Sequence, residues 1–260
     1  MDLVWDMDPV LLEIGFFELR YYGVFFAISL AAGVVLIVRR LQKKGLSVNS
    51  ALDFILMGLL FIVLGTRLFH CFFYEPGYFL SHPVEILKLW QGGLASHGAI
   101  VGLLLAAWIF SKWKNVPLYL VTDSVALGGF LPAMAVRLGN FFNSEMVGRA
   151  TEMPWGVRFM RFSDHGSIAR HPAQIYEALG ILIIGLGLMW LDKKVGQSRH
   201  GSITSTFILS YAVFRFSAEF FKEYQVLHSF LTMGQWLSLP LIGLGWFLMK
   251  QHRSADKGHS

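Results

Sequence analysis

The chain has 260 residues, 55% apolar and only 15% charged, against about 25% charged in an ordinary soluble domain, and its mean hydropathy is +0.53. That balance excludes a water-soluble globular protein, and 23 Phe and 8 Trp beside only 8 Pro exclude disordered and collagen-like chains. A single cysteine, Cys71, excludes an intramolecular disulfide, and the net charge of +5 matters through where it is placed.

From the N-terminus, the acidic stretch Met1 to Asp8 lacks the basic n-region and small-residue cleavage site of a signal peptide, and is expected to stay in the mature protein. A bilayer core about 30 Å thick needs about 20 mostly apolar residues per helix. Seven candidate runs emerge, some of them a little short or carrying charges: Tyr22 to Val38, Leu52 to Phe73, Leu94 to Ser111, Leu118 to Val136, Ala173 to Leu191, Ile203 to Phe221 and Gln235 to Met249. The fold class predicted is an all-α polytopic membrane protein with about seven transmembrane helices, one integral membrane domain over 1–260. Between the runs, Glu13 to Tyr21 and Tyr74 to Gly93 mix aromatics with charges and read as amphipathic arms in the headgroup layer. Residues 139–172 form a small head.

Loop charges predict the orientation. The loops after the odd-numbered runs hold Arg39, Arg40, Lys43, Lys44, Lys112, Lys114, Lys193, Lys194, Arg199, Lys250, Arg253 and Lys257. The opposite side holds Arg20, Lys88, Arg137, Arg149, Arg158, Arg161, Arg170 and Lys222, five of them in the stretch from Arg137 to His171. By the positive-inside rule the first set is cytoplasmic, which puts the N-terminus and the head outside and the C-terminus inside.

An ionisable residue within a span costs about 2.5 to 3.5 kcal/mol on insertion scales, so each needs a reason. Six stand out: Arg67, His70, His97, Glu177, Arg215 and Glu219. Asp53 and Asp123 sit near helix starts, where a carboxylate complements the helix dipole. Arg215, Glu219 and Lys222 follow i, i+4, i+7 spacing on one helical face, and Arg67, His70 and Tyr74 repeat the pattern. These outer ends point to a polar cavity open to the outer leaflet, although for Arg67 and His70 a buried lock between helices fits equally. His97 follows a glycine pair, while Gly98 and Gly102 form a small-xxx-small pair that suits close helix packing. No metal motif is present. The densest polar run is Arg137 to Arg149, with two arginines, two asparagines and a glutamate in thirteen residues; its guanidinium groups would meet lipid phosphates, which Arg binds bidentately.

That run resembles the signature of the prolipoprotein diacylglyceryl transferase family, Gly-Arg-x-Gly/Ala-Asn-Phe-x-Asn-x-Glu-x-x-Gly, departing only where Val136 replaces glycine. Arg20-Tyr21-Tyr22-Gly23 resembles the family's early arm motif, Ser96-His97-Gly98 its histidine motif and His171 to Glu177 its His-Pro-x-Gln-x-Tyr-Glu element. Tyr211, Arg215 and Glu219 resemble its late arginine motif. Ala99, Ala212 and Lys222 depart from a usual Gly, Gly and Arg. The resemblance implies an enzyme of the bacterial inner (cytoplasmic) membrane that transfers the diacylglyceryl group of phosphatidylglycerol to the lipobox cysteine thiol of a prolipoprotein signal peptide. A thioether forms and glycerol phosphate leaves. It implies no cofactor, metal or nucleic-acid partner, and membrane lipids as surroundings. Such chemistry needs cations for the phosphate and a base for the thiol. On this reading Arg137 and Arg215 bind phosphate, and His97 is the base or holds the lipid glycerol. Asn140, Glu145 and Glu219 fix the arginines by hydrogen bonds, and Tyr22 contacts the headgroup. Cys71 is a bystander. The competing classes are a phospholipid or anion transporter using the same intramembrane arginines, against which no internal repeat is visible, and a structural subunit whose charges only hold helices together.

Overall fold

The computed structural model describes residues 3–93, 95–195, 200–223 and 231–257. Met1, Asp2, Leu94 (the predicted start of the third run) and Arg199 lie outside the described residues, as do the side chains of Arg253 and Lys257.

Every predicted run falls on a helix. In chain order come strands β1 (Leu3–Trp5), β2 (Val10–Ile14) and β3 (Phe17–Arg20), helices α1 (Tyr21–Lys43) and α2 (Val48–Phe69), a short α3 (Pro76–Ser81), α4 (Ser96–Trp113) and α5 (Leu118–Phe142). Strand β4 (Val157–Phe159) and helices α6 (Ala173–Val195), α7 (Ser202–Ala218) and α8 (Met233–Lys257) follow. Four segments are long and apolar enough to cross a membrane: α1, α2 with its extension to Tyr74, α5, and α6 through Lys194. Their outward faces carry bare aliphatic side chains, with Leu56 and Ile183 each 69% exposed. That surface suits lipid and not water, and the architecture is that of an all-α membrane protein. α7 stops at Ala218, short of the predicted Phe221, because Glu219–Phe221 tightens into a 3₁₀ turn.

The chain divides into two compact units, Met1–Leu36 with Val125–Ser260, and Ile37–Ser124. In the larger unit the head is built on a strand pair: β1 runs parallel to β4, with Leu3 opposite Val157 and Trp5 opposite Phe159. Beneath it Phe141, Val147, Val157 and Phe159 form a core against which Trp5, Phe162 and Ile175 pack. The first predicted arm is a β-hairpin: β2 and β3 pair antiparallel with Ile14 opposite Phe17, and Gly15 takes the left-handed conformation the tight turn needs. A second core joins Leu127, Leu188 and Ile203.

In the smaller unit, α2 and α4 meet at glycines. A Cβ on Gly98 would lie 2.1 Å from the carbonyl oxygen of Gly65, and one on Gly102 would lie 2.0 Å from that of Phe61, so the close approach expected of this pair is present. Asp53 and Asp123 do more than complement dipoles: Lys114 pairs with Asp53 at 2.8 Å and the buried Arg40 with the buried Asp123 at 3.5 Å. The question left open for Arg67 is answered by its partners. Its guanidinium donates to the carbonyls of Glu85 (2.6 Å), Ile86 (2.9 Å) and Gly92 (2.6 Å). It pins the second arm, which runs through α3 and 3₁₀ turns at Pro83–Leu87 and Leu89–Gln91, to the end of α2.

Candidate active site

In the larger unit, α5, α7, the start of α8 and the head line an open cavity of about 730 Å³, whose lining includes Arg137, Arg170, Arg215, Glu219, Lys222 and Glu223. The two arginines predicted to bind phosphate therefore face one space.

The acids around the cavity are shared unequally among its cations. Arg170 is held by Asp164 at 2.6 Å and by Glu223, under the ring of Phe162. Lys222 bridges Glu177 (2.8 Å) and Glu219 (3.2 Å). Arg137 reaches the other oxygen of Glu177 at 3.3 Å, and the second oxygen of Glu219 accepts from Thr232 Oγ1 at 3.1 Å. Arg215, half-buried in the last turn of α7, has no ion pair among the described residues. A guanidinium with its fork unfilled in a partly desolvated cavity attracts an anion, and phosphate matches its geometry.

The supporting residues are partly other than those expected. Glu219 shares a face with Arg215 but spends its carboxylate on Lys222 and Thr232. Asn140 is buried, and its carbonyl accepts the Glu145 amide at 2.8 Å. Glu145 itself is held by Asn143 Nδ2 on its carboxylate (3.2 Å) and by Gln174 Nε2 on its carbonyl (2.6 Å). Among the described residues none of Asn140, Glu145 and Glu219 hydrogen-bonds Arg137 or Arg215; Glu177 supports Arg137 instead. Sequence reasoning flagged Glu177 as a costly intramembrane charge without giving it this work. Its signal was its place at the end of the His-Pro-x-Gln-x-Tyr-Glu element.

Tyr22 sits on α1 against Gly139 of α5. A Cβ at Gly139 would fall 2.2 Å from Tyr22 Cδ2, so this glycine is what lets the Tyr22 ring lie beside the turn of helix that carries Arg137. Where α6 begins, Tyr176 OH accepts from Trp155 Nε1 (2.7 Å) and lies 3.1 Å from His171 Nδ1. Burial, with Arg149 nearby, holds the His171 imidazole below its ordinary pKa, so near neutral pH it is uncharged and Nδ1 can take the Tyr176 hydroxyl proton in a hydrogen bond.

His97 belongs to the smaller unit, in the first turn of α4, where it is exposed. Tyr74 OH is 3.4 Å from its Nδ1 and Phe69 stacks on its ring. Cys71 is buried and free, consistent with packing alone.

Comparison with known proteins bears on what these groups do. Residues 9–250 match the family described as prolipoprotein diacylglyceryl transferase. The chain belongs to that family. Among similar proteins, one from Chloroherpeton thalassium is 38% identical, covering 96% of this chain and 94% of its own; one from Tolumonas auensis is 36% identical, covering 95% and 96%; and one from Cupriavidus necator is 38% identical, covering 98% and 97%. Each of these is named phosphatidylglycerol–prolipoprotein diacylglyceryl transferase. Full-length coverage places the cavity arginines, the Tyr22 seat and His97 all inside the region shared with the family.

Proposed function

We infer that this protein is a membrane transferase that moves the diacylglyceryl group of phosphatidylglycerol to a cysteine thiol of a prolipoprotein, the first covalent step in making a lipoprotein. The observation that carries the reading is the cavity in which Arg137 and the unpaired Arg215 face a common space. The transporter reading has no support among the relatives, which are named as transferases.

The chemistry divides among the residues as follows. The substrate thiolate attacks the glyceryl carbon that bears the phosphodiester; a C–S bond forms, the C–O bond to phosphate breaks, and glycerol phosphate leaves with the bonding pair. Arg215 and Arg137 stabilise the charge that gathers on the leaving phosphate. A thiol with an ordinary pKa near 8.5 needs only modest help to ionise near guanidinium groups, and His97 takes its proton or holds the lipid glycerol. Tyr22, Asn140, Glu145 and Glu219 line or brace the headgroup region, and the acceptor is the lipobox cysteine. Both substrates enter sideways from the bilayer, so the acyl chains never cross water. All seven long helices span the inner membrane, as one integral domain, with the N-terminus and the 139–172 head on the periplasmic side.

Purified protein given phosphatidylglycerol and a peptide with a single lipobox cysteine should yield a peptide heavier by one diacylglyceryl group, with glycerol phosphate released in equal amount. A peptide with serine in that position should stay unmodified. Release of glycerol phosphate without the peptide thioether would overturn the assignment.

A further inference from the structure

The end of α2 is not a plain helix terminus. Over His70–Tyr74 the helix widens into a π-turn, a distortion that costs regular hydrogen bonding and is found mostly where a side chain must be re-aimed. Here the re-aimed side chain is Tyr74, whose hydroxyl comes within 3.4 Å of His97 Nδ1. Other groups on the same helix fix the imidazole from the side: Phe69 lies against it with ring centroids 6.0 Å apart and planes 29° apart. The first turn of α4 cannot drift, because Ala95 N donates to Thr66 O at 3.1 Å and Gly98 lies hard against Gly65. His97 Nε2 has no partner among the described residues.

We propose that Tyr74 is a positioning residue for His97 in the transfer reaction: its hydroxyl holds Nδ1, sets the ring's orientation and tautomer, and leaves Nε2 to the substrate. The proposal rests on the reading that His97 acts on substrate. A hydroxyl suits either role of His97, because it both donates and accepts. When it accepts from Nδ1–H, Nε2 offers a lone pair to a thiol proton. When it donates to Nδ1, Nε2–H is offered to a glycerol oxygen. Packing does not account for the hydroxyl, since Tyr74 is 58% exposed and its ring contact with His70 needs only the phenyl group.

Tyr74→Phe removes the hydroxyl and keeps the ring. It should lower kcat by about 10- to 100-fold, by analogy with the loss when the partner that orients a metal-bound histidine is removed, with KM for phosphatidylglycerol changed less than about twofold and no change in melting temperature. In a His97→Asn background the same substitution should cost nothing further, because the group it orients is gone. A Tyr74→Phe enzyme as fast as wild type, beside an impaired His97→Asn enzyme, would overturn the proposal while leaving the reading of His97 intact. Equal losses in the two backgrounds would also overturn it, because Tyr74 would then act on something else. Wild-type activity in His97→Asn would remove the reading of His97 and this proposal with it.

Discussion

Arg215 and Arg137 share a cavity but differ in what they leave behind when removed. Arg215 has no protein counter-ion among the described residues, so Arg215→Ala should remove one of the two phosphate-binding cations without disturbing an ion pair. A loss of about 10²- to 10³-fold in transfer rate, the scale for losing one donor to a developing oxyanion, is expected with an unchanged melting temperature. Arg215→Lys should recover only part of that, because a point charge cannot present a fork. Arg137→Ala strips the buried Glu177 of one of its two cations, so it should lose activity and also melt at a lower temperature, because a buried carboxylate is left with less compensating charge. Transfer assays and thermal unfolding of the two variants in parallel check the contrast; equal stability losses would place Arg215 in a pair.

His171 gives a pH dependence whose sign follows from its surroundings. Its folded-state pKa is lowered, mainly by burial and then by Arg149, so at mildly acidic pH the unfolded chain binds a proton that the folded chain resists. The stability it contributes is complete above about pH 6.5, the unperturbed value, and is lost as pH falls through the lower folded-state value. Melting temperature should therefore drop from pH 7 toward pH 5, and His171→Gln should flatten part of that drop.

At the scale of elements, the helices were legible because a bilayer imposes one coarse rule, about 20 apolar residues in a row, which four of the helices meet in full. That another helix packs closely on α4 was legible too, since Gly98 and Gly102 are spaced for it, though not that the partner is α2. Replacing Gly98 with Ala puts a methyl 2.1 Å from a backbone oxygen that no rotamer change can move, so about 1 to 3 kcal/mol of overpacking is expected. Because His97 adjoins Gly98, activity should fall with stability; an unchanged melting temperature would show that α4 can slide. What sequence did not reveal depends on distant or irregular pairing. The β1–β4 pair joins residues over 150 positions apart, and no local pattern in Leu3–Trp5 marks its partner. The hairpin of β2 and β3 is too short for an alternating pattern to outweigh its aromatics. Helical periodicity put Arg215, Glu219 and Lys222 on one face, and of the two cations it is Lys222, just past the 3₁₀ turn at Glu219–Phe221, that reaches the Glu219 carboxylate. Spacing placed both cations within reach of Glu219 and did not say which one would be left free.

For the whole molecule, the chemistry makes a claim about sidedness, since a prolipoprotein thiol exported across the membrane must meet the cavity on the far side. Two of the lysines that the loop count assigns to the cytoplasm sit over tryptophan rings. At the end of α4, Lys114 Nζ sits 3.9 Å above the Trp113 ring; at the end of α6, Lys194 Nζ lies 5.0 Å from that of Trp190. Both tryptophans are exposed. A tryptophan with a lysine over its face is at home at the headgroup level, and lysines concentrate on the cytoplasmic side. Each pair belongs to a loop assigned to the cytoplasm, while Arg137, Arg215 and the head belong to opposite helix ends. A reporter active only in the cytoplasm should therefore be active when fused after Lys250 and silent when inserted between Gly139 and Pro172, with the reverse for a periplasmic reporter. Cytoplasmic activity from the head would put the arginine cavity on the wrong side of the membrane for an exported acceptor. The sidedness and the proposed route of the prolipoprotein thiol would then fall together, whatever the purified enzyme does with a lipobox peptide in detergent.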